Sequence, residues 1–402
     1  MRSVHLTPLH DAFREEVSAF FDQHLRPFAE VWEMERCIPR SAWRKFGEHG
    51  LLGLAHGPAH GGSARDIFHS VVFLEELGRT GYAGVRAGIS LHAYMATHYL
   101  ARHASDELRR AYLAPSIRGD RIAALAITER DAGSDLSRLA TTAMRDGGDY
   151  IVDGGKVFIT NGANADYYVV AVRTATPVPQ ARRANTGISL LIVDSRLPGV
   201  QITRQEKLGW HAAATAELHF DKVRVPADRL IGRENSGFMY LMRGFQLERL
   251  VAAALAVGGA EHCLDTTLAH VTSRQAFDGK LSNLQAIRHR LADMTTELAG
   301  ARAFTYHAAW CYAQDELSVT ECSMAKLLTT ELACRIADNC LQLQGARGYL
   351  ADSDIARMHR DARAGTMAGG ATEVMRDIIA QQLIDLGPSR ASPRQAESSA
   401  KT

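Results

Sequence analysis

The segment Phe245-Gln246-Leu247-Glu248-Arg249-Leu250-Val251 sets an acid where proton chemistry becomes possible. It follows a turn, Glu234-Asn235-Ser236-Gly237, that can cap a helix start. Phe238, Leu241, Phe245, Ala252 and Leu255 recur at three- and four-residue steps, the spacing of one helical face, and Glu248 falls on the same stripe. A carboxylate among apolar groups loses hydration in its charged form, so its pKa rises and it can serve as a general base near neutral pH. The competing reading is an acid held by an ion pair with a distant arginine, the usual fate of a buried charge. Neighbouring Arg249 points about 100° away around the helix and makes a poor direct partner.

Two other stretches can face a planar, polar ligand. Ala126-Ile127-Thr128-Glu129-Arg130-Asp131-Ala132-Gly133-Ser134-Asp135 leaves an apolar run for a Gly/Ser turn, offering backbone N–H groups and the hydroxyls of Thr128 and Ser134. The same residues also suit a strand-end turn with self-capping Ser134 and Asp135. In Lys156-Val157-Phe158-Ile159-Thr160-Asn161-Gly162, two-residue alternation sets Phe158 and Thr160 on one face, a flat aromatic beside a hydroxyl. A half-buried hairpin strand reads the same way. No G-x-G-x-x-G, G-x-x-x-x-G-K-[ST] or G-x-S-x-G occurs, so no Rossmann unit holds any nucleotide. Six cysteines (37, 263, 311, 322, 334, 340) are scattered, with no C-x-x-C pair and no His cluster at metal-ligand spacing. No metal site is expected, and the thiols read as small buried hydrophobes of a reducing compartment.

The elements that must position these groups show in the texture of the chain. Its 402 residues can form more than one domain, and 46% hydrophobic with 23% charged residues is ordinary for a soluble globular protein. A net charge of +1 gives no reason to expect nucleic acid as a partner. No run of 18 apolar residues predicts a membrane span, and Met1 to His10 carries no export or organelle signal, so a cytoplasmic location is expected. Residues 1–121 read as a helical domain: Thr7-Pro8 opens a helix over Leu9, Phe13, Val17 and Phe20 or Phe21, and further helices are predicted over Pro39 to Gly50, Asp66 to Arg79 and Tyr94 to Leu113, with a loop from Gly50 to Gly62. Residues 122–235 turn β-rich, with runs at Ile122–Ile127, Tyr150–Val152, Lys156–Thr160, Tyr167–Val172, Ile188–Val193 and Glu217–Val225. Turns are expected at Asp146-Gly147-Gly148-Asp149, Asp153-Gly154-Gly155, Asn161-Gly162 and Pro198-Gly199, and a mobile loop over Pro177 to Asn185. This predicts a β-barrel or sandwich between helical layers. Residues 236–386 return to long helices (236–273, 281–313, 318–345, 352–362, 372–386), a four-helix bundle with short additions, and 387–402 reads as a disordered tail.

Taken together and in order, these stretches resemble the acyl-CoA dehydrogenase family over essentially residues 5 to 386. The matching signatures are Thr128-Glu129-x-x-x-Gly133-Ser134-Asp135; Phe158-Ile159-Thr160-Asn161-Gly162; Arg274-Gln275-Ala276-Phe277-Asp278-Gly279-Lys280-Leu281 followed by Gln285; Gln342-Leu343-Gln344-Gly345-Ala346-Arg347-Gly348-Tyr349; and Arg360-Asp361-Ala362-Arg363 leading to Gly370-Ala371-Thr372-Glu373. The resemblance implies FAD. By position Leu125, Thr128, Gly133, Ser134, Phe158 and Thr160 would line the flavin, while Arg274, Phe277 and Gln285 would reach the pyrophosphate and adenine of a neighbouring subunit's cofactor. Gln342, Gly345 and Ala346 would follow the adenosine, with Thr372 and Glu373 near the cofactor. A guanidinium suits a pyrophosphate through charge-assisted bidentate contacts. Sharing FAD across subunits implies a homotetramer, a dimer of dimers, and an electron-transfer flavoprotein as acceptor.

Three departures from the family pattern matter. Phe158 stands where many members have Trp, Asp278-Gly279 and Ala346 replace parts of two loops, and Gly369 occupies the position where many members supply a catalytic Glu. The isovaleryl-CoA and long-chain branches instead carry the base on the inner helix, in a segment resembling Gln246-Leu247-Glu248-Arg249-Leu250. The absent acid at 369 and the acid at 248 are complementary, so the resemblance implies Glu248 as the base that takes the α-proton of an acyl thioester while the β-hydrogen leaves as hydride to the flavin. The thioester carbonyl would be polarised by a cofactor hydroxyl and the backbone N–H at 369. Ser134, Phe245, Arg249, Gly369 and Gly370 are the expected substrate contacts, and the small Ala368-Gly369-Gly370 wall leaves room for a short or branched acyl group, as in isovaleryl- or citronellyl-CoA dehydrogenases. Competing readings keep the fold: an acyl or aminoacyl thioester on a carrier protein, a flavin oxidase or monooxygenase, or a scaffold that has lost its flavin.

Overall fold

The computed structural model describes residues 3–175, 187–314 and 318–384. The loop expected over Pro177 to Asn185 and the tail expected over Gly387 to Thr402 lie outside the described residues.

Helix α1 (Pro8–His24) starts as its sequence predicts: Pro8 sits in the first turn, the Thr7 N–H donates to His10 Nδ1 at 3.0 Å, and Phe13, Val17, Phe20 and Phe21 are buried. Then come α2 (Arg26–Glu35), α3 (Arg40–Glu48), α4 (Ile67–Arg79) and α5 (Ala83–Ser90). The sequence pattern passes over α2, whose apolar residues lie on both faces and leave Phe28 and Met34 exposed. It also passes over α5, where Gly84 and Gly88 resemble breakers. Both are packing residues: a Cβ at Gly84 would lie 2.4 Å from Glu33 Oε1, and one at Gly88 2.9 Å from Asn161 Oδ1.

The helix expected over Tyr94 to Leu113 is interrupted. π-helical turns at Leu91–Ala96 and Arg109–Leu113 flank α6 (Thr97–His103) and the single turn α7 (Asp106–Leu108), and α8 (Ala114–Ile117) follows. The interruption has a local cause, since the Ser105 hydroxyl caps a new start by accepting from the Leu108 N–H at 3.3 Å.

Eight strands follow: β1 (Ala123–Ala126), β2 (Thr142–Asp146), β3 (Asp149–Ile159), β4 (Tyr167–Arg173), β5 (Ile188–Asp194), β6 (Val200–Arg204), β7 (Ala216–Pro226) and β8 (Leu230–Ile231). The runs Tyr150–Val152 and Lys156–Thr160 are not separate strands. Both belong to β3, and Asp153-Gly154-Gly155 is a bulge rather than a turn, with Gly154 at φ 137° and its pairing to β7 shifted. A side chain on Gly154 would meet Thr141 at 2.8 Å. Strands β2 and β6 escaped the pattern because most of their residues are exposed. The order is β6-β7-β3-β2-β4-β5-β8, with β1 parallel to β4. Among the described residues only Thr142↔Arg173 joins β2 to β4, so the sheet folds there. Its halves share a core in which Tyr150, Val152 and Phe220 meet Val170, Leu191 and Val193. This is the expected barrel-or-sandwich in the form of an open, folded sheet.

Helix α9 (Gly237–Ser273) runs through the centre of the molecule. The hairpin β9 (Gln275–Ala276) and β10 (Gly279–Lys280) leads to α10 (Gln285–Gln314), α11 (Val319–Gly348), α12 (Asp354–Gly365) and α13 (Thr372–Ile384), and α11 leaves helical geometry at Gly345 (φ 62°, ψ −149°). One apolar face was predicted for α9; from Gln246 to Gly258 it is buried on almost every side, because α4, α10 and α11 all pack on it. Gly258 permits the α4 contact, since a Cβ there would sit 2.0 Å from the Glu75 carbonyl oxygen. Among the described residues no helix is long and apolar enough to cross a membrane.

Candidate active site

A cleft of about 380 Å³ opens where the β-domain, α9 and the start of α13 meet. One wall is a single stripe of α9, Phe238, Met242, Phe245 and Arg249, repeating at helical steps. The second is the turn after β1, with Thr128, Gly133 and Ser134. The third is Gly369 and Gly370, backed by Val374 and Ile378 of α13. All five expected substrate contacts, Ser134, Phe245, Arg249, Gly369 and Gly370, line this cleft, from three different parts of the chain. The β1 turn also caps itself, because Asp135 Oδ1 accepts from the Ser137 N–H at 3.0 Å.

Glu248 stands just behind the α9 wall, one helical turn from Phe245, and is 7% exposed. Burial pushes its carboxyl up to about 7, opposed by a hydrogen bond from Tyr99 and the charge of Arg249. The Tyr99 hydroxyl donates to Glu248 Oε1 at 2.9 Å. Arg249 is not its hydrogen-bond partner: Arg249 Nη1 donates to Gln246 Oε1 at 3.0 Å and Ser323 Oγ at 3.2 Å, while its Nε is buried with no partner. Among the described residues the acid is thus neither exposed nor tied into an ion pair with a distant arginine.

The glycines of the third wall have left-handed backbones, Gly369 at φ 65° and Gly370 at φ 100°. A Cβ at Gly369 would meet nothing within 4 Å, whereas one at Gly370 would press on Met375 Cε at 2.7 Å. Lys326 of α11, itself fully buried, donates to the Gly370 carbonyl and fixes the loop from beneath. Neither Tyr99 nor Lys326 stood out in the sequence. Only Gly244 offered a trace, as a small residue inside a helix that signals a close approach: a Cβ there would lie 2.4 Å from the Tyr99 oxygen.

Residues 7–120, 124–223 and 235–384 match the N-terminal, middle and C-terminal domains of acyl-CoA dehydrogenases. The chain is 37% identical to the mitochondrial long-chain specific acyl-CoA dehydrogenase of Sus scrofa over 376 residues, 93% of this chain and 86% of that one. It is 33% identical to the isovaleryl-CoA dehydrogenase of Pongo abelii over 372 residues, 91% and 86% of the two chains. The crystal structure of an acyl-CoA dehydrogenase from Geobacillus kaustophilus superposes with a TM-score of 0.91 at 41% identity, covering 95% of this chain and all (100%) of that one.

The chain belongs to the acyl-CoA dehydrogenase family. It is an oxidoreductase of a family whose cofactor is FAD. The residues expected to hold that cofactor fall into two separate places. Thr128, Gly133 and Ser134 line the cleft, with Leu125 buried in the core beneath them. Phe158 is 69% exposed, Ile159 is buried and Thr160, just past the end of β3, is half-buried; Lys156 and Val157 are both buried and Phe158 has φ 61°, so the two-residue alternation expected here breaks at a second register shift between Lys156 and Ile159. On the helical domain Arg274, Gln285, Gln342, Gly345, Ala346 and Glu373 are exposed, while Thr372 is buried at the start of α13. Phe277 is 91% exposed at φ 56°.

These features fit a long planar cofactor with a phosphate bridge. Exposed aromatic rings at 158 and 277 offer stacking faces. Arg274 has no ion-pair partner among the described residues, and Gln344 Nε2 is buried without an acceptor beside the Gly345 break. Arg274, Phe277 and Gln285 are not among the residues lining the cleft that Thr128, Gly133 and Ser134 share.

Proposed function

We propose that this acyl-CoA dehydrogenase oxidises a short or branched acyl-CoA to its trans-2-enoyl-CoA, with Glu248 as the base that removes the α-proton. One observation carries the reading: an acid buried between the cleft-lining Phe245 and Arg249 of α9, with its carboxyl raised to about 7, while position 369 on the third wall has no acid of its own. Thr128 and Ser134 would hold the flavin edge of FAD, and Arg274, Phe277 and Gln285 would hold the pyrophosphate and adenine of a neighbouring subunit's FAD. When bound, FAD supplies the two-electron acceptor for the β-hydrogen. The Gly369 N–H, on a loop held by Lys326, donates to the thioester carbonyl and stabilises charge as it builds there. Phe238, Met242 and Phe245 exclude water from the reacting carbons, which keeps Glu248 basic enough for a carbon acid.

The open space at Gly369 leaves room for a branch near Cβ or Cγ, and the isovaleryl-CoA dehydrogenase among the relatives supports that choice. The position of Arg274, Phe277 and Gln285 outside the cleft lined by Thr128 and Ser134 supports a homotetramer sharing FAD between subunits. An electron-transfer flavoprotein is the proposed acceptor. The deciding experiment is anaerobic bleaching of the yellow protein by a panel of acyl-CoA thioesters, wild type beside Glu248→Gln. Bleaching by at least one thioester and its near-complete loss in the variant is expected, because the amide keeps the shape and cannot take a proton. A Glu248→Gln protein that bleaches at the wild-type rate removes the assignment, and faster bleaching by butyryl- or octanoyl-CoA than by every branched thioester removes the branched-chain reading.

A further inference from the structure

Tyr99 is fully buried on α6, and its hydroxyl makes the hydrogen bond to Glu248. The fold builds this contact from two sides. Thr97 Oγ1 donates back to the carbonyls of His92 (2.8 Å) and Ala93 (3.0 Å), bracing the π-helical turns of Leu91–Ala96. Each residue inserted by a π turn rotates the rest of the helix by about 100°, so this segment sets the direction of Tyr99. On α9, Gly244 supplies the space, one turn before Glu248 on the same helix. Among the described residues Glu248 Oε1 has this hydrogen bond and Oε2 has none.

We propose that Tyr99 is the positioning residue of the base: it pins Oε1 and leaves Oε2 as the atom that receives the substrate proton. This rests on Glu248 being the base. As the α C–H bond breaks, its electron pair stays on the substrate and its proton bonds to Oε2. Tyr99 keeps its own proton, since burial and the neighbouring carboxylate hold the phenol well above its ordinary range. A hydroxyl donates more strongly to a carboxylate than to a carboxylic acid, so Tyr99 favours the charged base and opposes the effect of burial. The charged and titratable groups around the pair among the described residues are His98 of α6, whose ring meets Tyr99 edge-on at 5.7 Å, Arg249 on the helix of Glu248, Tyr312 of α10, and Cys322 and Lys326 of α11, which face Arg249.

The test uses the FAD-loaded enzyme with Tyr99→Phe and with Tyr99→3-fluorotyrosine, a stronger donor of nearly the same size. The first readout needs no substrate: the infrared carboxyl band of protonated Glu248, identified by subtracting Glu248→Gln, is followed against pH. Its midpoint should rise by about one unit in Tyr99→Phe and fall in the fluorinated variant, opposite shifts that a structural role would not produce. The second readout is anaerobic bleaching by isovaleryl-CoA and octanoyl-CoA. In Tyr99→Phe the limiting rate should fall on the order of tenfold or more, with the half-saturating concentration within about twofold. A midpoint unmoved by either substitution, with Glu248→Gln inactive, overturns the Tyr99 role and leaves the base. An active Glu248→Gln overturns the base itself. Should Tyr99→Phe not fold, the fluorinated variant decides alone.

Discussion

Lys326 reaches from α11 across to the loop after α12, where its ammonium donates to the carbonyls of Gly370 and, at 3.5 Å, of Thr366. Burial lowers this lysine to about 8, below its ordinary value of 10.5. A charge kept in so unfavourable a place holds the third wall of the cleft, and its loss should act on geometry more than on folding.

Lys326→Met is therefore expected to leave the melting temperature at pH 7 nearly unchanged while slowing flavin bleaching about tenfold or more. Removing the buried charge relieves on the order of 3 kcal/mol, and leaving two carbonyls unpaired costs about as much. The pH sign is a separate check. Between pH 8 and 10.5 the folded lysine is neutral while the unfolded one still binds a proton, so wild-type stability rises through that window and the rise should be missing in the variant. Calorimetry from pH 7 to 10.5 beside stopped-flow bleaching measures both.

Glu248→Gln should stabilise the protein in a pH-dependent way. The folded carboxyl titrates at about 7 against an ordinary value of 4.5, so the folded state binds more protons between those values. The contribution of Glu248 is full below pH 4.5 and is lost as pH rises through 7. The amide variant should match wild type near pH 4.5 and exceed it by about 3 kcal/mol at pH 8, measured by urea titration at both pH values. Equal stabilities at pH 8 would mean that the carboxylate is solvated and unfit for the role proposed.

Lys156→Met should be strongly destabilising, unlike Lys326→Met. Lys156 Nζ pairs with Glu129 Oε1 at 2.7 Å inside the β-domain, and Glu129 also accepts the N–H groups of Ala140 (2.6 Å) and Thr141 (3.0 Å). Removing the lysine leaves a buried carboxylate without its counter-charge, a loss of about 3–5 kcal/mol. Because Glu129 adjoins Thr128 in the cleft turn, the variant should also release FAD more readily, seen as loss of yellow colour on gel filtration.

Two glycines in helices should respond with opposite signs. Gly300 of α10 faces open space, and Gly300→Ala should add about 0.5–1 kcal/mol by restricting the unfolded chain. At Gly258 a methyl would strike the Glu75 carbonyl at 2.0 Å, so Gly258→Ala should prise α4 from α9 and yield little folded protein. Urea midpoints of the two variants decide both claims.

Some of this protein was legible in its residues alone because it is local. Capping at Thr7-Pro8, the helical step from Phe238 to Leu255, the glycines at 369 and 370 and the order of the five motifs need no knowledge of distant contacts, and they led to the family, its fold and the acid at 248. Strands β2 and β6 and helix α2 were hidden because their apolar pattern is weak or two-sided, and the run at Gly154 read as a turn because a bulge uses the same residue. What folding alone decided is which groups separated in sequence meet. Tyr99 lies 149 positions before Glu248 and Lys326 lies 44 before Gly370, and neither pairing leaves a periodic trace. A hydrogen bond between two elements depends on the rotation and separation of both, set here by a π turn, by a missing Cβ at Gly244 and by helices closing round α9. No window of sequence contains those quantities.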